Sequence, residues 1–246
     1  MVHVTEHYDL KPVAHIETEF PTKFGVPRQS GLVKGLRGRI VFEPEYRDPE
    51  ALRGLEDYSH IWLLWWMAPS KPPRGEVSCP EEHKEGRGES FRPTVRPPRL
   101  GGNRRMGVWA TRSPFRPNNI GLSSVRIAGI RLQSPDGPVI EVEGADMMDG
   151  TPILDIKPYL PFTDSHPDAL GGFAEEQNKH IRPLRVSLSG ELQRAFDAEH
   201  LNALRDILAS DPRPHYQDDA SRIYGFGFAG KEVKFRVGNG EVEAWL

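Results

Sequence analysis

Apolar and polar residues alternate over short stretches of this chain, and turn residues separate those stretches. Residues 13–20 (VAHIETEF) alternate in part and predict a first strand, and 36–42 (LRGRIVF) predict a second. Residues 48–55 read as a short helical turn, with Asp48 as cap and Pro49 at its first position. Residues 60–67 (HIWLLWWM) are apolar on both faces of a strand, which predicts a central, buried position in its sheet. Further strands are expected at 106–111, 120–132 and 139–142, the last two joined as a hairpin through Pro135-Asp136-Gly137-Pro138. Residues 155–161 (DIKPYLP) are expected to be extended, because two prolines exclude helix.

The pattern changes after about residue 168. Residues 184–188 alternate as a strand. Residues 190–209 repeat Leu192, Phe196, Ala203, Leu204, Ile207 and Leu208 at helical spacing, with Ser189 as cap and Asp211-Pro212 as stop. A hairpin is expected from 223–228 and 233–237 over Ala229-Gly230-Lys231. The chain therefore reads as mainly β, with a large unit over 1–168 and a small α+β unit over 169–246.

Composition narrows the class. The 246 residues include 23 Pro and 24 Gly, too many chain-breakers for a helical bundle. The single cysteine, Cys79, excludes an intramolecular disulfide, a CxxC redox pair and a four-cysteine zinc site, and suits a reducing cytoplasm. It lies in a hydrophilic stretch, 69–93, that reads as a mobile surface loop. The longest apolar run, 61–68, falls far short of the roughly 20 residues a membrane span needs. The start, MVHVTEHYDL, lacks the apolar core of a signal peptide.

Charge changes the picture more. The formal net charge is −3, yet residues 90–135 contain no Asp or Glu. They hold nine arginines: Arg92, Arg96, Arg99, Arg104, Arg105, Arg112, Arg116, Arg126 and Arg131. A solvated arginine-rich loop and a phosphate- or nucleic-acid-binding face both account for such a run. Within it, Trp109 is the better candidate for contact with a planar ligand, whereas Trp62, Trp65 and Trp66 read as core. Gly225-Phe226-Gly227-Phe228-Ala229-Gly230 matches GxGxxG in letters only, since strand and not helix follows it. His3 and His7 have HxxxH spacing but no accompanying Glu, and no metal site is expected. His60 reads as a strand-end histidine bonded to backbone.

Four segments are more specific. They are Lys23-Phe24-Gly25-Val26-Pro27-Arg28-Gln29, and residues 53–62 (RGLEDYSHIW). The third is 93–103 (PTVRPPRLGGN) running into 110–123 (ATRSPFRPNNIGLS). The fourth is Asp146-Met147-Met148-Asp149-Gly150-Thr151-Pro152 followed by 155–159 (DIKPY). In this order they resemble the TrmO family, also called YaeB or TsaA-like, and Asp211-Pro212-Arg213-Pro214-x-Tyr216 resembles the C-terminal extension of its bacterial members. The chain departs from the family at Ala68-Pro69, where members carry a His-Gln-like pair, and at Asn119, commonly proline.

The resemblance implies a β-barrel-like N-terminal domain that binds S-adenosylmethionine, a small C-terminal α+β domain that contacts tRNA, and a homodimer. The implied activity is methylation of N6 of N6-threonylcarbamoyladenosine beside the anticodon of threonine tRNA. By motif, the cofactor contacts are Pro27, Arg28, Gln29, Arg112, Leu122, Asp146, Met147, Met148 and Asp149. The delocalised adenine N6 lone pair calls for an acceptor as its proton leaves. Asp149, Asp155 and Tyr159 are the candidates, although Asp149 also reads as a plain turn aspartate before Gly150. Arg96, Arg99, Arg116, Asn118, Lys157 and Arg213 are the expected substrate contacts on the anticodon stem-loop. Two other classes remain open from the residues alone: a non-catalytic RNA-binding barrel, and a small-metabolite methyltransferase.

Overall fold

The computed structural model describes residues 9–67, 91–97, 104–179, 182–213 and 219–246. The His3/His7 pair, Ala68-Pro69, Arg99, Pro214, Tyr216, and most of the 69–93 loop with Cys79 lie outside the described residues.

In chain order the first strands are β1 (Ala14–Thr18), β2 (Arg37–Phe42) and β3 (His60–Trp66). A two-stranded ribbon follows, β4 (Thr94–Val95) and β5 (Met106–Gly107), and then β6 (Ile120–Arg131), β7 (Val139–Glu143) and β8 (Thr151–Pro158). Six of these close a barrel in the order β1-β2-β7-β6-β3-β8. Every neighbouring pair in it is antiparallel. Closure removes the sheet edges and turns alternate side chains inward. Ile16, Ile40, Ile61, Leu63, Val125, Ile140 and Ile153 fill the interior.

Most expected strands hold with shifts of a residue or two, though β8 begins four residues before the extended stretch expected from 155, and Asp48 does cap a 3-10 turn, Pro49–Leu52, by accepting from Glu50 N–H. Two expectations for the strands before β8 fail. β3 is central, between β6 and β8, but not buried on both faces: Trp66 is 42% exposed on the barrel's outside. The stretch 106–111 pairs only over Met106–Gly107; Val108–Ala110 is a 3-10 turn whose end is tied by Thr111 N–H and Oγ1 to Val108 O.

Beyond β8 come α1 (Pro161–Asp164) and α2 (Gly172–Lys179). Pro161 opens α1 at its first position instead of extending the strand, as a proline there has no N–H to lose. The remaining elements are β9 (Arg185–Leu188), α3 (Gly190–Ala195), α4 (Ala198–Ala209), β10 (Tyr224–Phe228), β11 (Lys231–Gly238) and β12 (Glu241–Trp245). The sheet order is β10-β11-β12-β9, with β9 parallel to β12. The helix expected over 190–209 is broken: Phe196 is extended, and the Asp197 carboxylate accepts from His200 N–H to start a new helix. The β10–β11 turn needs only Ala229 and Gly230, both at positive φ, as a two-residue hairpin of right-handed twist requires.

The two cores are distinct, but the chain crosses between them early. Phe20, Val33 and Leu36, from the β1–β2 connection, are buried with Leu204, Leu208, Phe228 and Phe235 of the second unit. Phe24 joins them, stacking near Tyr224 and Phe235.

Candidate functional site

The site is built at one rim of the barrel from three connections. The first is the β1–β2 loop. Phe24 and Val26 pack into the second core, which leaves Pro27, Arg28 and Gln29 on the turn beyond them. Gly25 sits at φ +96°, with the Phe226 ring 2.5 Å from where a Cβ would stand, so only glycine fits. Farther along, Gly31 N–H bonds Gly144 O (2.9 Å) and Gly144 N–H bonds Leu36 O (2.8 Å), pinning this loop to the β7–β8 connection.

That connection carries Asp146 to Asp149. Ser123, inward-facing on β6 and 1% exposed, donates from Oγ to Asp146 Oδ1 (2.6 Å) and accepts from Trp65 Nε1 (3.0 Å). Burial pushes the Asp146 carboxyl above its ordinary pKa. The Ser123 hydroxyl, backbone N–H groups including that of Ser30, and the charge of Arg112 pull the other way. The rest of the turn is locked. Asp149 Oδ1 accepts from Thr18 N–H (2.9 Å), Thr18 Oγ1 donates to Met147 O, and Thr151 Oγ1 donates to Met148 O. The Met147 side chain is 1% exposed, in the barrel core.

The third connection, between β5 and β6, brings Arg112. Its Nη1 donates to Gln29 Oε1 (2.5 Å), and Gln29 Nε2 donates to Arg28 O. Arg28 Nη2 donates in turn to Arg213 O (3.1 Å). Arg28, Gln29, Arg112, Asp146 and the Arg213 backbone thus converge from segments far apart in sequence.

Other expected residues lie elsewhere. Leu122, next to Ser123, faces outward and is 49% exposed. Asp155 accepts from Ile156 N–H and pairs with Lys157 (2.8 Å). Tyr159, past the end of β8, packs beside Trp62 and His60. At about 3.3 Å per strand residue, β8 separates Tyr159 from Asp149 by more than 20 Å along the chain. Asp149, Asp155 and Tyr159 are therefore not gathered within one chain. His60 stands at the start of β3 as expected, but its ring meets the Ser59 hydroxyl through Nδ1 rather than backbone; its main-chain carbonyl accepts from Tyr159 N–H.

The basic stretch is smaller than its sequence suggests. Arg126 pairs with Glu143 and Arg131 with Glu141 across the β6–β7 ladder. Arg116 donates to Thr111 O and Ser113 O, and its guanidinium lies 5.5 Å from the Trp109 ring centre. Arg96 follows β4 and is exposed; Asn118 accepts through its carbonyl from Ile120 N–H. The Arg213 side chain is held by Asp211.

Sequence reasoning missed Ser123, Ser30 and Trp65. A serine among the inward positions Gly121, Ser123 and Val125 was the available clue. Among the described residues, no group of three or more His, Cys, Asp or Glu is arranged to hold a metal. No helix among them is long and apolar enough to cross a membrane.

The model of the tRNA-methyltransferase O N-terminal domain matches residues 15–165, and that of the TrmO C-terminal domain matches 182–245. The chain belongs to the TrmO family. A tRNA (adenine(37)-N6)-methyltransferase of Escherichia coli (strain K12) is 37% identical over 238 residues, covering 94% of this chain and 93% of that protein. One of the same name from Eikenella corrodens is 46% identical over 154 residues, 62% of this chain and 85% of its own. The crystal structure of TrmO from Pseudomonas aeruginosa superposes with a TM-score of 0.72 at 29% identity, covering 99% of this chain and 98% of that one. In TrmO terms, the converging residues come from three of the family-like motifs and the C-terminal extension.

Proposed function

We propose that this chain transfers a methyl group from S-adenosylmethionine to N6 of N6-threonylcarbamoyladenosine, beside the anticodon of threonine tRNA. At the coarser level, it is an S-adenosylmethionine-dependent tRNA methyltransferase, by its family and by the relatives named tRNA (adenine(37)-N6)-methyltransferase. The observation that carries the reading is the convergence of Gln29, Arg112 and Asp146 at the barrel rim.

The residues present fit the methyl donor. Arg28 and Arg112 complement a carboxylate. Asp146 and the rim carbonyls complement positive charge, and the Gln29 amide is already oriented by Arg112. Bound there, S-adenosylmethionine supplies an electrophilic methyl carbon on a sulfonium. The protein's task is to hold the adenine nitrogen in line with it and to take up the N6 proton. We assign that proton to Asp149, whose Oδ1 is oriented by Thr18 N–H.

We further propose a homodimer in the cytoplasm. Leu122, Asp155 and Tyr159 lie away from the Arg112 cluster, and a second copy against the exposed face bearing Leu122 and Trp66 would complete the site. The unit from 169 onward is assigned to tRNA contact through Arg213. Arg96, Arg99, Arg116, Asn118 and Lys157 are assigned to the anticodon stem-loop. An unpaired loop base costs little to splay out.

The test is incubation with labelled S-adenosylmethionine and tRNA from cells lacking the protein, followed by nucleoside mass analysis. Methylated N6-threonylcarbamoyladenosine is expected, and label on no tRNA nucleoside refutes the reading. Arg112→Ala should weaken calorimetric S-adenosylmethionine binding; an unchanged isotherm removes Arg112 from the site. Affinity for tRNA should fall linearly in log–log with salt, and a flat response removes the phosphate contacts.

A further inference from the structure

The ribbon β4–β5 has no barrel to build, yet it is tightly made. Thr94 pairs with Gly107 and Val95 with Met106; Val108 N–H bonds Pro93 O (2.8 Å). Arg105 Nε and Nη2 bond Thr94 Oγ1 and O. The product of this bracing is on the surface. Val108 is fully buried as an anchor, and the 3-10 turn around it throws Trp109 outward, 67% exposed. Phe91, 52% exposed, stacks on it with ring centres 5.7 Å apart and planes 22° from parallel. Arg116, itself tied to Thr111 O and Ser113 O, sits over the same indole.

Two large rings exposed side by side lose apolar burial unless something covers them. The surroundings say what does. Arg92, Arg96, Arg104, Arg105 and Arg116 share the stretch with them, and it contains no acid. Aromatic rings braced among arginines are how proteins hold single-stranded nucleic acid: bases stack on the rings and phosphates meet the guanidiniums. Trp109 is also only three residues from Arg112 of the cofactor cluster.

We propose that Phe91 and Trp109 form a stacking platform for one unpaired nucleobase of the RNA substrate, next to the base that is methylated. This rests on the tRNA reading above and adds a binding site to it. The platform is preorganised, so little ordering entropy opposes the stack.

The experiment uses the full chain and a synthetic anticodon stem-loop of threonine tRNA, with loop nucleotides replaced one at a time by an abasic unit. Fluorescence anisotropy at fixed salt reads affinity. Trp109→Ala and Phe91→Ala should each weaken binding about 5- to 150-fold, the range for losing one base–aromatic stack, and Trp109→Phe should retain most of it. One abasic position should weaken the unmodified protein similarly while costing Trp109→Ala little. S-adenosylmethionine binding by calorimetry should stay unchanged. Trp109→Ala binding within twofold of the unmodified protein overturns the proposal. So does a Trp109→Ala protein that keeps its RNA affinity but changes its oligomeric state, since the rings would then face a second copy. If the unmodified protein neither binds nor methylates any tRNA, the functional reading falls and takes this one with it.

Discussion

Ser123→Ala is the sharpest probe of how the rim is held. The hydroxyl is almost completely buried and joins two groups: it accepts from Trp65 Nε1 and donates to Asp146 Oδ1. Removing it strips a hydrogen bond from a carboxylate, about 1.5–3 kcal/mol, and leaves an indole N–H without its acceptor, about 1–3 kcal/mol. Asp146 keeps the Ser30 N–H and the Arg112 charge, which cushions the loss. The expected destabilisation is about 2–4 kcal/mol, read from urea midpoints at unchanged m-value.

The deficit has a pH signature. Burial already raises the Asp146 pKa above 3.8, and the Ser123 bond opposes that rise. Without the bond the folded-state value climbs further. A carboxyl raised in the folded state favours the fold while protonated and loses that favour as pH rises through its folded value. The variant's deficit should therefore grow as pH climbs past the unmodified protein's Asp146 value and level off above the variant's. In an Asp146→Asn background that growth should vanish. An unchanged midpoint, or a deficit that shrinks with rising pH, refutes the reasoning.

Three further outcomes are expected. His200 bridges Asp197 (Nδ1, 2.8 Å) and Glu19 (Nε2, 3.0 Å), joining the second unit to the barrel. Burial disfavours its charge, but the two carboxylates outweigh burial and raise its pKa above 6.5. Its contribution is then complete below 6.5 and lost as pH rises through the folded value, so His200→Gln should flatten the melting-temperature drop between about pH 6 and about pH 8. An equal drop in both proteins counts against the clasp. Gly121→Ala would drive a methyl into the Trp65 indole. It should cost about 1–3 kcal/mol in urea unfolding, and a neutral result would mean Trp65 is free to move. Asp149→Asn keeps an oxygen for Thr18 N–H, so stability should hold while single-turnover methyl transfer falls at least about 100-fold. A rate near normal would leave Asp149 as a turn anchor only.

The barrel was largely legible because a closed antiparallel sheet imposes strict alternation, and the period-2 stretches reappear as β1, β2, β6 and β7. What misled was local chemistry overriding period. Asp197 is a stronger helix starter than Phe196 is a helix continuer, so one predicted helix became two. Outward-facing Trp66 made β3 look doubly buried. Strand β12 (EVEAW) was missed because its acidic residues masked Val242 and Ala244, both buried. The site was legible only through its motifs. Nothing in periodicity brings Gln29, Arg112 and Asp146 together, and the Ser123 link shows as one hydroxyl on an apolar face.

The position of the site follows from the barrel's size. Six strands enclose room for side chains and no more, and isoleucines and leucines fill it. A ligand must bind at the rim, on loops, and loops need bracing from outside the barrel. Here the second unit supplies it. Phe24 and Val26 are buried in its core, Gly25 fits against Phe226, and Arg28 holds the Arg213 carbonyl. The Gln29 turn is thereby fixed at both ends, by the second core before it and by Gly144 and Asp146 after it. A force on the second unit reaches Gln29 through packed aromatic rings rather than through a slack linker. An RNA contact on the second unit, as proposed above, would therefore act on the Gln29 turn directly, through the Arg28 bond to the Arg213 carbonyl and the packing of Phe24 and Val26.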